Sequence, residues 1–482
     1  MNRAREARPD AQAHGRQLPL VVDLNHTLIR THLLWEALAL FIRARFLELW
    51  RIPIWLLAGR SAFQRHLAHA AMPAAATLPY DHELLAFLHD ERRAGRRVVL
   101  LTDIQSSFAA SIAAHVGLFD RIVAPDRGDI SGTHAKAKLM LDAYGDRGFD
   151  YIGYHKRDHV LWRHSRLAYS VARQPIHIGN GRFTTPIGAV RGGRIAALFK
   201  TLRPRQWLKN LLVCMPMLAG HQISAVTALQ SLLAFAAFSL CASSAYLLND
   251  TLDVADDRMH PTKRHRPIAA GTLPIAVALG CSLLLAVASL LLCAAVSRTL
   301  LAVLTVYFVA TVLYSLYLKR MLAVDVVTLA ILYSMRILAG GAVTGIAPSF
   351  WLLAFSFFIF LSLALLKRHS ELENLERSGA DKTAGRGYTV ADKGPIGIMG
   401  INSAFLSVLV FILYVESQNA LIQYKSPIWL AGIVPLLVFW LSRLWILSYR
   451  GRVDDDPVLY VSRDRVSLAL FALCFVLTVA AT

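Results

Sequence analysis

From Arg194 to the C-terminus the chain is dominated by apolar runs of membrane-spanning length, and no other feature restricts its fold as much. A helix needs about 20 predominantly apolar residues to cross a bilayer. Nine runs reach that length, at 207–224, 229–249, 274–296, 299–317, 323–343, 349–366, 396–416, 427–448 and 464–481. The preceding stretch alternates apolar strands with mixed helical segments and reads as a soluble domain. Its leading residues, MNRAREARPDAQAHGRQLP, lack the apolar h-region of a signal peptide. The expected organisation is a disordered arm (1–17), an α/β domain (18–190) and an all-α polytopic membrane domain (195–482).

Basic residues set the expected topology. With the α/β domain in the cytoplasm, the connections after the second, fourth, sixth and eighth runs also face it. They carry Arg258, Lys263, Arg264, Arg266, Lys319, Arg320, Lys367, Arg368, Lys382, Arg386, Lys393, Arg443, Arg450 and Arg452, whereas the opposite connections hold little beyond Arg298 and Lys425. This is a positive-inside pattern. It accounts for much of the formal net charge of +19 and argues against nucleic-acid binding. The expected location is therefore the cell inner membrane, with multiple passes. The five cysteines, Cys214, Cys241, Cys281, Cys293 and Cys474, lie in or beside apolar runs without metal-ligand spacing, and packing suffices for them.

Between the second and third runs lies LLNDTLDVADDRMHPTKRHRPIAAG, Leu247 to Gly271. Asp250, Asp253 and Asp257 are spaced i, i+3, i+7 and would share one face of a helix, with Asp256 about 120° away at 100° per residue. Carboxylates gathered at the end of a span repel one another unless a cation intervenes. Hard oxygen ligands suit Mg²⁺, which joins one or two carboxylates to substrate phosphates. Lys263, Arg264 and Arg266 follow closely enough to hold the remaining phosphate oxygens. Ionisable groups at membrane depth are costly and usually functional, so this stretch reads as a Mg²⁺–diphosphate site.

The same residues carry a resemblance. Asn249-Asp250-x-x-Asp253-x-x-x-Asp257, followed by His260-Pro-Thr-Lys263-Arg-x-Arg266-Pro, resembles the first aspartate-rich motif of the UbiA prenyltransferase superfamily. Members acting on aromatic acceptors usually carry a second motif, DxxxD, after the sixth span. Here LLKRHSELENLERSGADKTAGRGYTVADKG (Leu365 to Gly394) contains none and offers Lys367, Arg368, Glu371, Arg386, Tyr388 and Asp392 instead. Together with RPRQWLKN (Arg203 to Asn210) and YSLYLKRMLAVDVVTLAILYSMR (Tyr314 to Arg336), the chain resembles the polyprenyl-phosphate phosphoribosyltransferase branch. The resemblance implies transfer of a 5-phosphoribosyl group from phosphoribosyl pyrophosphate (PRPP) to a polyprenyl phosphate. Such multiply phosphorylated substrates demand cations, and Arg203, Lys209, Lys319, Arg336, Lys367 and Arg368 could supply them, with Asn249 orienting the diphosphate and Tyr314 nearby. Asp325 and Arg336 lie eleven residues apart, about three turns, and share a helical face. The alternatives are prenyl transfer from a prenyl diphosphate to an aromatic acceptor, and a non-catalytic membrane scaffold. A single chain and a homo-oligomer both remain open.

In the soluble domain, LPLVVDLNHTLI and RVVLLTD are strands ending at Asp23 and Thr102, with RIVAP and FDYIGYH after them and helices between. This implies a Rossmann-like sheet, with apolar helices at 33–88 as a cap. The order resembles a haloacid dehalogenase (HAD) phosphatase. The resemblance makes Asp23 the nucleophile, Thr102 the phosphate-binding residue, Lys136 or Lys138 the third motif and Asp158 part of the fourth. Two positions depart from it. Asn25, an amide that cannot exchange a proton in that role, stands where the general acid/base carboxylate is expected, and Tyr154 replaces a metal-binding carboxylate. An inactive or weak phosphatase is expected, or a domain that recruits a partner.

Overall fold

All four residues of the first strand, Leu20–Asp23 (β1), are buried, as a strand covered on both faces of a parallel sheet must be. The computed structural model describes residues 18–103, 106–124, 132–154, 156–172, 174–187, 193–377, 379, 386–453 and 456–482. The arm expected at 1–17, and Lys382, lie outside them. Residues up to Ala197 form one compact unit together with Thr251–Val277, and Leu198–Asp250 with Ala278–Thr482 form a second.

In the first unit β1 lies between β2 (Val98–Leu101) and β4 (Asp150–Gly153), parallel to both. β3 (Arg121–Val123) and β5 (Ala168–Ser170) extend the sheet, β6 (His177–Gly179) and β7 (Arg182–Phe183) form a separate antiparallel pair, and β8 (Thr185–Pro186) closes the order β3-β2-β1-β4-β5-β8. Asp23 and Thr102 thus leave the sheet at the carboxyl ends of adjacent central strands, where open α/β sheets take their ligands. Between β1 and β2 comes helix α1 (Leu33–Ala44), whose Leu33, Ala37 and Phe41 recur every fourth residue and are buried. Phe41 packs with Phe63 and Leu67 of the helix Arg60–Ala70.

Among the described residues of the second unit seven helices are long and apolar enough to cross a membrane: Ala225–Leu252, Ile275–Val296, Arg298–Leu316, Val324–Thr344, Phe350–Arg377, Val390–Val415 and Ile428–Tyr449. The first and second of these have termini that extend into the first unit's 251–277 stretch. Two of the nine expected spans differ. The run at 464–481 forms the 17-residue helix Arg465–Ala481, N-capped by the Asp464 carboxylate. The run at 207–224 is not one helix: Pro204–Cys214 is a tight 3₁₀ segment and Met215–Ala219 a short α-helix. Pro204 and Pro216 remove backbone donors, and the polar side chains of Lys209 and Asn210 are drawn into bonds with other elements.

Candidate active site

Asp250 is buried in the last turn of Ala225–Leu252, and Arg203 Nη2 donates to both of its carboxylate oxygens, at 2.6 and 2.8 Å. Arg203 is aimed by a left-handed backbone (φ 53°) and by the Tyr246 ring beneath its guanidinium. Lys319 Nζ donates to Asn249 Oδ1 at 3.3 Å. The helix then stops. Asp253 has φ −92° and ψ 8°, outside both helices, and serves as N-cap residue of a new short helix, Val254–Met259. The three aspartates therefore do not continue along one helical face as the spacing suggested. Asp257 is buried and accepts from Arg266 Nη1 at 2.8 Å, while Asp256 points elsewhere and meets Arg43 at 2.5 Å.

Among the described residues no three His, Cys, Asp or Glu side chains converge as a metal-holding group. The donors still fit Mg²⁺ in kind. They are hard carboxylate oxygens, two of them buried and each balanced by a guanidinium. That ion takes one or two carboxylates and completes its shell with water and substrate phosphate.

A second cluster gathers in the second unit. Asp325, fully buried at the start of Val324–Thr344, faces Arg368 Nε at 2.9 Å and Arg386 Nη1 at 3.9 Å, and accepts from the Tyr388 hydroxyl at 2.5 Å. Glu371 pairs with Arg368 and lies 3.6 Å from Arg386 Nε. Arg368 Nη2 and Arg386 Nη1 are buried with no hydrogen-bond acceptor among the described residues. Five residues expected at the site from the sequence, Asp325, Arg368, Glu371, Arg386 and Tyr388, are therefore brought together. Near by chemistry rather than by sequence, Lys209 Nζ pairs with Asp456 at 2.8 Å, and Gln206 donates to the same oxygen. Burial alone would raise the Asp456 carboxyl, but Lys209 and Lys367 hold it down at about 2. Asp456 had not been expected at the site. Its only sequence signal is an Asp directly before Pro457, an N-cap pattern.

Two expected site residues have structural partners. Arg336 does not meet Asp325 despite the three-turn spacing. Its guanidinium donates to Asn210 Oδ1 (2.9 Å), the Tyr307 hydroxyl (2.8 Å) and the Leu332 carbonyl (2.6 Å); a shared face does not bring the two together, since three turns separate them by about 16 Å along the helix. Asp392 accepts from the backbone and hydroxyl of Thr389, closing a capping box on its own turn. Tyr314 is half-buried on Arg298–Leu316. In the stretch 251–277, Lys263 lies in a short 3₁₀ turn three residues before Arg266.

In the first unit Lys136 Nζ lies 2.6 Å from Asp23 and 3.8 Å from Asp103. Burial, opposed by Lys136 and reinforced by Asp158 and Asp103, pushes the Asp23 carboxyl up to about 7. Asp158 accepts from the Tyr154 amide at 2.9 Å, and a Cβ on Gly153 would come within 2.6 Å of its carboxylate, so a larger residue there would displace that side chain. Thr102 is fully buried. Lys138, the other candidate for the third motif, is exposed. Asn25 uses both ends of its amide, donating to Asp103 at 3.2 Å and accepting from the Leu33 amide at 3.0 Å.

The UbiA prenyltransferase family model matches residues 210–480. The chain belongs to this family. It is thus an integral membrane transferase of the UbiA type, and the scaffold alternative falls away. The chain is 32% identical to the uncharacterized protein y4nM of Sinorhizobium fredii, over 97% of this chain and 92% of that one. It is 34% identical to the decaprenyl-phosphate phosphoribosyltransferase of Mycolicibacterium smegmatis, over 58% of this chain and 89% of the relative. The solved structure of a UbiA homolog from Archaeoglobus fulgidus bound to GPP and Mg²⁺ covers 58% of this chain and 99% of its own, at 16% identity and a TM-score of 0.44.

Proposed function

We propose that this UbiA-family chain transfers the 5-phosphoribosyl group of PRPP to a polyprenyl phosphate and releases pyrophosphate. The reaction takes place at the cytoplasmic face of the cell inner membrane. The observation that carries this reading is the pair of buried guanidinium donors on Arg368 and Arg386 without acceptors among the described residues. A buried charged donor left unbonded is costly. Phosphate oxygens would satisfy these donors in a way that a neutral aromatic acceptor would not. Likeness to a decaprenyl-phosphate phosphoribosyltransferase supports the same substrate class.

In this reading Asp250, Asp253 and Asp257 would hold Mg²⁺, with Asn249 orienting the diphosphate. The ion, when bound, neutralises charge on the departing pyrophosphate. Lys263 and Arg266 contribute to that neutralisation from the protein side. Arg203 and Lys319 keep Asp250 and Asn249 in place until substrate arrives. Lys367, Arg368, Arg386 and Lys209 bind the other phosphate groups. The bond from ribose C1 to the diphosphate oxygen breaks, an oxygen of the lipid phosphate forms the new bond to C1, and pyrophosphate leaves with the electron pair. No protein base is required, because the lipid phosphate is already ionised. We further infer that the N-terminal domain is a degenerate HAD-type domain in which Asp23, Thr102, Lys136 and Asp158 persist without the acid/base carboxylate.

The test is to incubate membranes bearing the protein with labelled PRPP and polyprenyl phosphate. Mg²⁺-dependent label in the lipid phase supports the proposal. Transfer from a prenyl diphosphate to an aromatic acceptor, with none from PRPP, would replace it by the prenyl-transfer reading.

A further inference from the structure

Helix α1 bears an acidic residue, Glu36, on its buried side, in the run LLWEALALFIRA, whose other residues are apolar up to Arg43. A buried carboxylate needs a cation, and the structure gives it one from the aspartate motif. Arg258 donates from Nη2 to Glu36 Oε1 at 2.7 Å and from Nη1 to Oε2 at 3.1 Å, with the two side chains 8% and 2% exposed. This bidentate geometry fixes orientation as well as distance. The same guanidinium donates to the carbonyls of Thr77 and Ala269, at 3.1 and 2.9 Å, so it also ties the motif stretch to itself.

Arg43 lies seven residues after Glu36 and so on the same face of α1. Its Nη1 donates to the Leu252 carbonyl at 3.4 Å and its Nη2 to Asp256 at 2.5 Å. One side chain thus grips both sides of Asp253, the residue at which the helix is interrupted. Further along, Gly271 (φ 72°) comes so close to Arg30 that a Cβ would lie 2.7 Å from the Arg30 side chain and 2.8 Å from its carbonyl oxygen. The motif stretch is therefore bonded at its start and middle by Arg43, Glu36 and the Thr77 carbonyl and packs against Arg30 at its end, and it belongs to the same compact unit as they do.

At its other end α1 is tied to the degenerate phosphatase-like site. Asn25 accepts from the backbone amide of Leu33, the first residue of α1, and donates to Asp103. A carboxylate at position 25 could make the first of these bonds but not the second. The amide does both, and so joins the strand end after β2 to the start of the helix that holds the motif.

We propose that Glu36 and Arg43 are positioning residues for the transferase reaction. Through Arg258 and Asp256 they set the conformation in which the stretch 251–277 presents Asp253 and Asp257 to substrate. Asn25 seats the helix that carries them. This rests on the proposed phosphoribosyl transfer for its catalytic consequence, though not for its structural part.

The test uses the full-length protein in lipid nanodiscs, as Glu36→Arg, Arg258→Glu, the double exchange and Asn25→Ala. Hydrogen exchange of peptides covering 254–273 is measured without substrate, alongside steady-state transfer from PRPP. Each single exchange is expected to speed amide exchange in 254–273 by about tenfold or more while β1, β2 and β4 stay protected. KM for PRPP is expected to rise more than kcat falls, since the loss is of a positioned ground-state contact. Asn25→Ala should give the same pattern more weakly, and the double exchange should recover both readouts at least in part. Unchanged exchange in 254–273 in the single variants would overturn the proposal. So would a double variant no better than either single, or a fall in kcat alone. If even the unaltered protein moves no label from PRPP, the transfer reading fails, and amide exchange still decides whether α1 holds the motif.

Discussion

Arg386→Gln separates a substrate contact from a structural one, because the protein itself holds this side chain so loosely. Its nearest carboxylate oxygens are 3.9 Å away on Asp325 and 3.6 Å away on Glu371, and its side chain is 18% exposed. Neither contact is within hydrogen-bond reach, and two such long contacts from a partly exposed guanidinium are together worth about 0–1 kcal/mol. Asp325 keeps Arg368 and the Tyr388 hydroxyl in the variant. At about 2–4 °C per kcal/mol for a domain of this size, the melting temperature should fall by about 4 °C at most. A charge-assisted bond from Arg386 to a substrate phosphate is worth about 1.5–3 kcal/mol. At 1.4 kcal/mol per tenfold, its loss raises KM for PRPP by roughly 10- to 150-fold. The assay is label transfer from PRPP to the lipid phase over a range of PRPP concentrations, paired with thermal unfolding in the same nanodiscs. An unchanged KM together with a drop of about 8 °C or more would show that Arg386 braces the fold, and the phosphate-binding argument would then be wrong.

Arg336→Met should behave in the opposite way. It breaks three bonds to acceptors that stay buried, at about 1–3 kcal/mol each before relaxation, so thermal stability should fall markedly while KM for PRPP in the folded fraction stays near that of the parent. Cysteines placed near Gly271, Gly394 and Arg450 should react with a membrane-impermeant reagent from the cytoplasmic side only, and labelling of Gly271→Cys from outside would overturn the topology. The Asp23 carboxyl is raised to about 7 chiefly by burial, above its value in an unfolded chain, so the folded state holds this proton more tightly. The stability it contributes is complete below about pH 4 and is lost as the pH rises to about 7. Protection of β1 amides, corrected for intrinsic exchange, should accordingly decline from pH 5 to 8, and Asp23→Asn should flatten that decline.

What the sequence made legible follows from the range of the interactions involved. Apolar runs and the Asp250-to-Asp257 spacing are local patterns, and seven of the runs form long apolar helices. The break at Asp253 is not local. It coincides with Arg43, more than 200 positions earlier, bonding to both sides of it. Spacing put Asp325 and Arg336 on one face but could not say that Arg368 would claim the first, or Asn210 and Tyr307 the second. The cap at Asp392 was readable in principle, since Thr389-x-x-Asp392 follows the capping-box pattern. Glu36 gave a fainter signal, a buried acidic residue in the first turn of an otherwise apolar stretch that ends in Arg43. That pattern says only that a cation must lie near, not that it comes from the aspartate motif.

The position of Asn25 decides how the N-terminal domain should respond to repair. A HAD phosphatase needs a proton-exchanging carboxylate there, and general acid–base catalysis is typically worth about 10²–10⁴-fold. The full-length protein should therefore hydrolyse simple phosphomonoesters barely above background. Restoring Asn25→Asp, with Tyr154→Asp and with His26→Gly at the φ 60° turn, rebuilds the expected motif in composition. The structure limits what this repair can do. The Asn25 amide donates to Asp103 at 3.2 Å, and an ionised carboxylate in its place would face Asp103 as a like charge, with Lys136 already shared between Asp23 and Asp103. The triple variant should gain phosphatase activity only when Asp103→Asn is added, and Asp23→Asn should abolish whatever is gained. The measurement is phosphate release with Mg²⁺ by each variant in nanodiscs. Efficient hydrolysis by the unaltered protein, lost in Asp23→Asn, would refute the degenerate reading and leave two working enzymes in one chain. Full recovery in the triple variant with Asp103 intact would show that the Asn25–Asp103 bond does not limit the repair.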